Sequence, residues 1–299
     1  MPNASNSRVR VLYALESTLG TSPAGPGVYK PLRCTGQSLD LNKATFQSQE
    51  ARQDRNISDY RHGGKKVSGD IDFELMPTDL DDLIAGALAS SFTAKVCKNG
   101  IVQKSFSIEV GHMDINQFRL FKGVLIDKLS ISAKPGAMVT GKLSCVGLDM
   151  VLAGTSVDTA PLAAGTASPF DTFSGSVKEG GSAIATVTSL DINIDNGDKH
   201  LEALNSAAAI DISLGRFNVT GNLSVYLQDA SMFNKFLNET LSSIEVQFGA
   251  AIFHKYKMGS VKYGAAKAPT QNEGPVIVQL PFQAIYNATD VCTLMVTTS

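Results

Sequence analysis

Four histidines, four cysteines, a few paired carboxylates and one glycine pair beside lysines are the residues of this chain with the means to do chemistry. His62, His112, His200 and His254 stand apart, with no H-x-H or H-E-x-x-H spacing and no cysteine cluster nearby, so neither a metal centre nor a cofactor is expected. His62-Gly63-Gly64 matches part of a lipase oxyanion motif, but no G-x-S-x-G nucleophile elbow accompanies it. Two adjacent glycines read better as a turn, because glycine reaches positive φ at no steric cost. Gly63-Gly64-Lys65-Lys66 lacks the spacing of a phosphate loop. Asp81-Asp82 suits the positive first turn of a helix, and Asp70 with Asp72 suits the wet face of a strand. Cys34, Cys97, Cys145 and Cys292 form no C-x-x-C pair and are expected as free thiols, Cys145 on the apolar side of a strand. No catalytic constellation remains, and the chain is expected not to be an enzyme.

The elements that carry these residues repeat. Ser38–Asn42 (SLDLN) returns as Ser189–Asn193 (SLDIN) at an offset of 151, and Val67–Leu75 (VSGDIDFEL) returns as Val219–Leu227 (VTGNLSVYL) at 152. Both longer segments alternate apolar and polar residues, the pattern of a half-buried antiparallel strand. A helix is expected after each. Leu80, Leu83, Ile84, Ala87 and Leu88 make one apolar stripe in Thr78–Ser90, with Thr78 as N-cap, and Phe233, Phe236, Leu237 and Leu241 make the matching stripe in Ser231–Leu241. Ser-Ile-Glu-Val occurs at 107–110 and again at 243–246, an offset of 136. The first copy therefore carries extra residues, and their Asn99-Gly100 predicts a type I′ hairpin turn. Further strands are expected over Gly123–Ala133, Val139–Gly147 and Val276–Ala284.

The reading is a mainly β chain of two tandem β-sandwich or barrel domains, each with one flanking short helix. The boundaries are an N-terminal arm (1–30), a first domain (31–153), a linker rich in Thr, Ala, Ser and Gly (154–182) and a second domain (183–299). Ala288–Ser299 is a second candidate arm.

Composition narrows the function. With 26 basic and 28 acidic side chains the net charge is −2, which does not suit a dedicated nucleic-acid binder. The halves differ, at 18 basic against 15 acidic over 1–154 and 8 against 13 over 155–299, a contrast that would let alternating units attract. Met1–Leu19 has no apolar run of signal-peptide length, and no stretch approaches a membrane span, so a soluble cytoplasmic chain is expected. The polar segment Lys43–Lys66 mixes Glu50, Asp54 and Asp59 with Arg52, Arg55 and Arg61. One reading is phosphate contact, weakened by the interleaved acids. Another is a protruding loop whose charges pair with a neighbouring subunit, and a third is a solvated loop.

The sequence resembles the tail tube (major tail) proteins of long-tailed bacteriophages with non-contractile tails. The likeness runs over nearly the whole chain. It rests on Glu16–Pro23 (ESTLGTSP), Ser38–Asn42, Glu50–Arg55 (EARQDR), Asp59–Gly63 (DYRHG), Val67–Leu75, Asp81-Asp82-Leu83, Ser105–Glu109 (SFSIE), Phe121-Lys122-Gly123 and Ala137–Gly141 (AMVTG). Asn196–Arg216 keeps the position and length of the charged loop without its charge pattern.

The resemblance implies a structural virion protein that stacks as rings into a tube, the channel for genome delivery into the host, assembled in the bacterial cytoplasm. It implies self-association as trimeric pseudo-hexameric rings, or as hexamers. The other partners it implies are the tape measure, the tip or baseplate and the terminator, with DNA passing without specific binding and no membrane partner. Glu50, Arg52, Asp54, Arg55, Asp59 and Arg61 become candidates for contacts between subunits or rings. Ser68, Asp70, Asp72, Glu74, Thr220, Asn222 and Ser224 become candidates to face the lumen. The alternatives are a tandem β-sandwich binding or adhesin module, a tail terminator, and the inner tube of a contractile tail.

Overall fold

Alternation becomes strand wherever one face can be buried. The computed structural model describes residues 3–270 and 273–299 and is mainly β, with two short α-helices among the described residues. Its sheets are open and close no barrel, so the barrel form of the expected architecture is not the one adopted. In the first half the elements are β1 (Val9–Leu15), β2 (Asp40–Gln47), β3 (Tyr60–Glu74), α1 (Asp81–Ala87), β4 (Val96–Lys98), β5 (Phe106–His112), β6 (Gln117–Ala133), β7 (Thr140–Gly147) and β8 (Asp149–Ala153). The second half has β9 (Ser176–Glu179), β10 (Val187–Asp195), β11 (Asn218–Tyr226), α2 (Ser231–Leu237), β12 (Ser242–Phe248), β13 (His254–Tyr263), β14 (Ile277–Ala284) and β15 (Met295–Thr298).

Pairing follows one order in both halves. The first runs β1–β5–β6–β7–β3–β2 and the second β9–β12–β13–β14–β11–β10, antiparallel throughout. The halves also pair with each other. On one edge of β6, β5 occupies the N-terminal part, from Gln117 to Val124, and β10 takes over from Lys128 to Ala133. Gly123, at φ +62°, sits where β6 changes partner, and a Cβ there would press on Leu148 at 2.8 Å. A second seam joins β13 through β15 to β4. The apolar faces of these strands form a common core that includes Ile71, Phe73, Leu143, Leu129, Ile131, Ile192, Leu223 and Leu280.

Several local expectations change. Helix α1 begins at Asp81 after Leu80, with no side-chain cap, because Thr78 lies at φ +65° and cannot serve as N-cap. Asp81 and Asp82 do occupy the first turn. Helix α2 ends at Leu237, short of Leu241. The tight hairpin of the extra segment turns at Ala94-Lys95, both at positive φ between Thr93 and Val96, and not at Asn99-Gly100. Asn99 instead accepts the N–H groups of Thr293 and Leu294 through its side-chain oxygen.

Parts of segments 3–30 and 154–182 pack into the fold. Leu12 and Tyr13 of β1 are buried, Phe170 is buried with its backbone on Leu75 and Val139, and Ser176–Glu179 is strand β9. Strand β15 likewise holds much of the C-terminal segment. Cys34, Cys97, Cys145 and Cys292 are free thiols, and burial pushes each of them up from the ordinary thiol range.

Each half buries a glutamate that fastens its outer strands. Glu16 accepts from Ser107 Oγ at 2.6 Å and from the Gly123 N–H at 3.0 Å. Glu179 accepts from Tyr263 Oη at 3.1 Å and from Ser242 Oγ, and pairs with Lys235. Glu179→Gln keeps the shape but loses the charge opposite Lys235. It is expected to lower stability by about 1–2 kcal/mol in urea unfolding, and an unchanged midpoint would count against that ion pair.

Candidate assembly surfaces

The face of the long sheet opposite the core is polar across both halves. One row of facing residues crosses six strands: Asp72 on β3, Lys142 on β7, Ser130 on β6, Asn193 on β10, Thr220 on β11 and Gln283 on β14. A neighbouring row runs Asp70, Ser144, Lys128, Asp195 and Asn218, and another runs Glu74, Thr140, Ser132, Asp191 and Asn222. Period two produces this arrangement directly, since every second residue of each strand shares one face. The carboxylates Asp70, Asp72, Glu74, Asp191 and Asp195 outnumber the lysines Lys128 and Lys142. Both lysines are paired, Lys128 with Asp195 at 2.8 Å and Lys142 with Asp70 and Asp72 at 3.3 and 3.4 Å. The face therefore carries negative charge and no unpaired cation in these rows.

Of the residues singled out for this face, Ser68, Asp70, Asp72, Glu74, Thr220 and Asn222 lie on it. Ser224 does not share its exposure: it is 6% exposed. The β-bulge at Val187/Ser189 carries Thr188 over it, with Thr188 Oγ1 on the Ser224 carbonyl at 3.2 Å.

The junction of β6 with β10 is closed by groups that the motif search did not single out. Asn196, 4% exposed, donates both Nδ2 hydrogens, to the carbonyls of Ala87 and Ile126, each at 2.9 Å. Its N–H donates to the Asp127 carbonyl at 2.8 Å. The first of these contacts satisfies a carbonyl at the end of α1, where helices leave acceptors unpaired. Asp198 donates its N–H to Asp127 Oδ1 at 2.8 Å, and its own carboxyl is half-buried and raised to about 7, first by burial and then by the Asp127 charge. Beyond it, Ile212 is buried and its carbonyl accepts from Gln103 Nε2, while Lys65 donates its N–H to Ala207. The Asn196–Arg216 segment of the second half is thus docked on the first. At the second seam His254, buried, brings Nε2 to 3.1 Å from Asp81 Oδ1.

The equivalent segment of the first half is not docked. It extends the β2–β3 hairpin outward, with Gln47 opposite Tyr60. Its charges pair locally: Arg52 grips Asp54 through two hydrogen bonds at 2.9 and 2.7 Å, and Arg61 meets Asp59 at 2.6 Å. The Arg52 guanidinium holds the Asp54 carboxyl well below the usual carboxylate range. Glu50 and Arg55 are exposed. Phe46, Ile57 and Tyr60 on the same hairpin are 64%, 62% and 60% exposed.

With these surfaces described, comparison with known families is decisive. Residues 6–284 match the family described as phage tail tube protein. The chain belongs to that family. Membership in the phage tail tube family makes it a structural component of a phage tail, a role that needs no catalytic constellation. Among the described residues no helix is long and apolar enough to cross a membrane. A chain in the cryo-EM structure of the anti-feeding prophage (AFP) baseplate, 6-fold symmetrised, is similar over 52% of this chain and 98% of its own, at 13% identity and a TM-score of 0.34. No curated protein matches.

Proposed function

We propose that the chain polymerises as stacked rings into the tube of a long non-contractile tail, and that the tube is the channel for genome delivery. Three chains, each supplying two tandem modules (31–153 and 183–299, with β1 joined to the first and β9 to the second), would make a pseudo-hexameric ring. The observation that carries this reading is the polar face that continues without a break from β3 through the junction to β14. Facing a lumen, its carboxylates and paired lysines would repel phosphate and offer DNA no cation to hold. Two different strand edges that meet between copies make heterologous contacts, which build rings and open filaments. Tape-measure, tip and terminator proteins would meet the tube at its core and ends, after assembly in the host cytoplasm.

Electron microscopy of the purified protein, with its solution mass, tests this. Hollow tubes or rings with three chains per ring are expected. Six chains per ring would remove the pseudo-hexamer, and a protein that forms no ring at any concentration would overturn the reading.

A further inference from the structure

We infer that the junction inside one chain is repeated between chains and fixes the strand register there: Gln37–Leu41 of one copy pairs with Ala266–Thr270 of the next. This rests on the ring reading above and names the surfaces that close it.

The two positions follow from the shared pairing order. On β3 Gln37 faces Ile71 and Asp40 faces Ser68, and on β11 Leu190 faces Leu223 and Asn193 faces Thr220. With β3 set on β11 at the offset of 152, Gln37, Leu39 and Asp40 hold the places of Leu190, Ile192 and Asn193. Leu143 faces Ile71 on β3 and Leu280 faces Leu223 on β11, which equates β7 with β14. Lys267, opposite Gln279, then holds the place of Ser130, opposite Lys142. Inside the chain Leu190 faces Ala133, Ile192 faces Ile131 and Asn193 faces Ser130. Transferred to two chains, Gln37 faces Thr270, Leu39 faces Ala268 and Asp40 faces Lys267.

Backbone directions agree at every position. The Ser38 N–H donates inward to Asp70, so Gln37, Leu39 and Leu41 turn their backbone groups outward, away from β3. Two of those outward donors are held by side chains of their own segment, Leu39 N–H by Gln37 Oε1 at 3.0 Å and Leu41 N–H by Asp40 Oδ1 at 2.8 Å. A neighbouring backbone would replace both acceptors. On the other surface Lys267 exchanges N–H and carbonyl with Gln279, so Ala266, Ala268 and Thr270 turn to the free side. Pro269, which has no N–H to give, falls on the side that does not need one.

The helices point the same way. Helix α1, beside the closed junction, buries Leu83, Ile84, Ala85, Gly86 and Ala87, whereas α2 has no buried residue and leaves Leu237 71% exposed. Tyr60 holds the place of Ile212, which is buried in the closed junction. The exposed Phe46 and Tyr60 of one copy would therefore settle by Phe236 and Leu237 of the next.

Disulfide trapping tests the register. Asp40 and Lys267 form a non-hydrogen-bonded pair, whose Cα atoms approach to about 4.5 Å, within disulfide range. In a Cys34→Ser background, leaving only buried native thiols, chains carrying Asp40→Cys are mixed with chains carrying Lys267→Cys and oxidised. A crosslinked dimer on non-reducing gels is expected, at least tenfold above the Asp40→Cys with Ala268→Cys mixture, because a one-residue shift puts the two thiols on opposite faces. The double variant should close into covalent rings. Rings seen by microscopy without the 40–267 link, or with equal yield in the shifted mixture, would overturn this register and leave the tube reading standing. Absence of both rings and crosslink would overturn the two together.

Discussion

Replacing Asn196 with alanine is expected to lower stability by about 2–4 kcal/mol, because it leaves the carbonyls of Ala87 and Ile126 buried without a donor. The side chain is 4% exposed, so water does not readily take its place. It also joins three parts of the molecule: the end of α1, the middle of β6 and the end of β10. Loss of the contact should therefore loosen the junction as well as shift the global midpoint. Asn196→Asp should be worse than Asn196→Ala, since it sets a carboxylate against two carbonyls within a segment already holding Asp127, Asp195 and Asp198. Urea unfolding of the three proteins checks the order. A loss below about 0.5 kcal/mol in Asn196→Ala would mean that the two carbonyls find other donors, and that this residue is not what locks the halves together.

Nothing in the local sequence marks Asn196 for that role. It stands in a polar stretch after an alternating strand, and its partners are 109 and 70 residues away. The same limit separates what could be read from what could not. Val67–Leu75 was legible because alternation is a property of the segment itself, and the structure makes Val67–Glu74 part of one strand with the apolar residues inside. The repeated segments were legible for the same reason, and they fall at equivalent places in the pairing order. Thr78 looked like a cap because serine, threonine and aspartate usually are. Its neighbourhood is fixed instead by distant groups, the Asp79 carbonyl accepting from Tyr13 Oη and the Asp79 carboxylate meeting Arg33. The first thirty residues have too little periodicity to announce a strand, yet β5 supplies the edge on which Val9–Leu15 pairs. Edge strands and caps are decided by what lies across from them.

The polar face shows how far a pattern can carry. Each strand separately reads as half-wet, and from that alone Ser68, Asp70, Asp72, Glu74, Thr220 and Asn222 could be placed on one side of their own strands. That the two sets belong to a single surface follows only from the β6–β10 pairing, a contact between halves that no offset in the sequence encodes. Ser224 obeys the alternation and is still buried, because a bulge in the strand beside it is invisible to period-two reasoning.

The junction should also respond to pH, and Asp198 sets the direction. Its carboxyl is raised to about 7 by burial, then by the Asp127 charge, with Asp195 adding. Asp127 is itself raised, mainly by burial, and Lys128 is occupied by Asp195 at 2.8 Å. In the unfolded chain Asp198 would titrate near 3.8. Between these values the folded form binds the extra proton, so stability falls as pH rises from about 4 to about 7 and levels off above. The full shift would correspond to about 4 kcal/mol, and water reaching a half-buried carboxylate reduces that to about 1–3 kcal/mol. Asp198→Asn removes the cost of ionisation, so the variant should be more stable than the parent at pH 8 and should converge on it toward pH 4. Taking the difference between the two unfolding curves cancels every other titrating group. If the curves run parallel from pH 4 to 8, the carboxyl reaches solvent freely, and the Asn196–Arg216 segment is not held against β6 in the way its hydrogen bonds to Asp127 require.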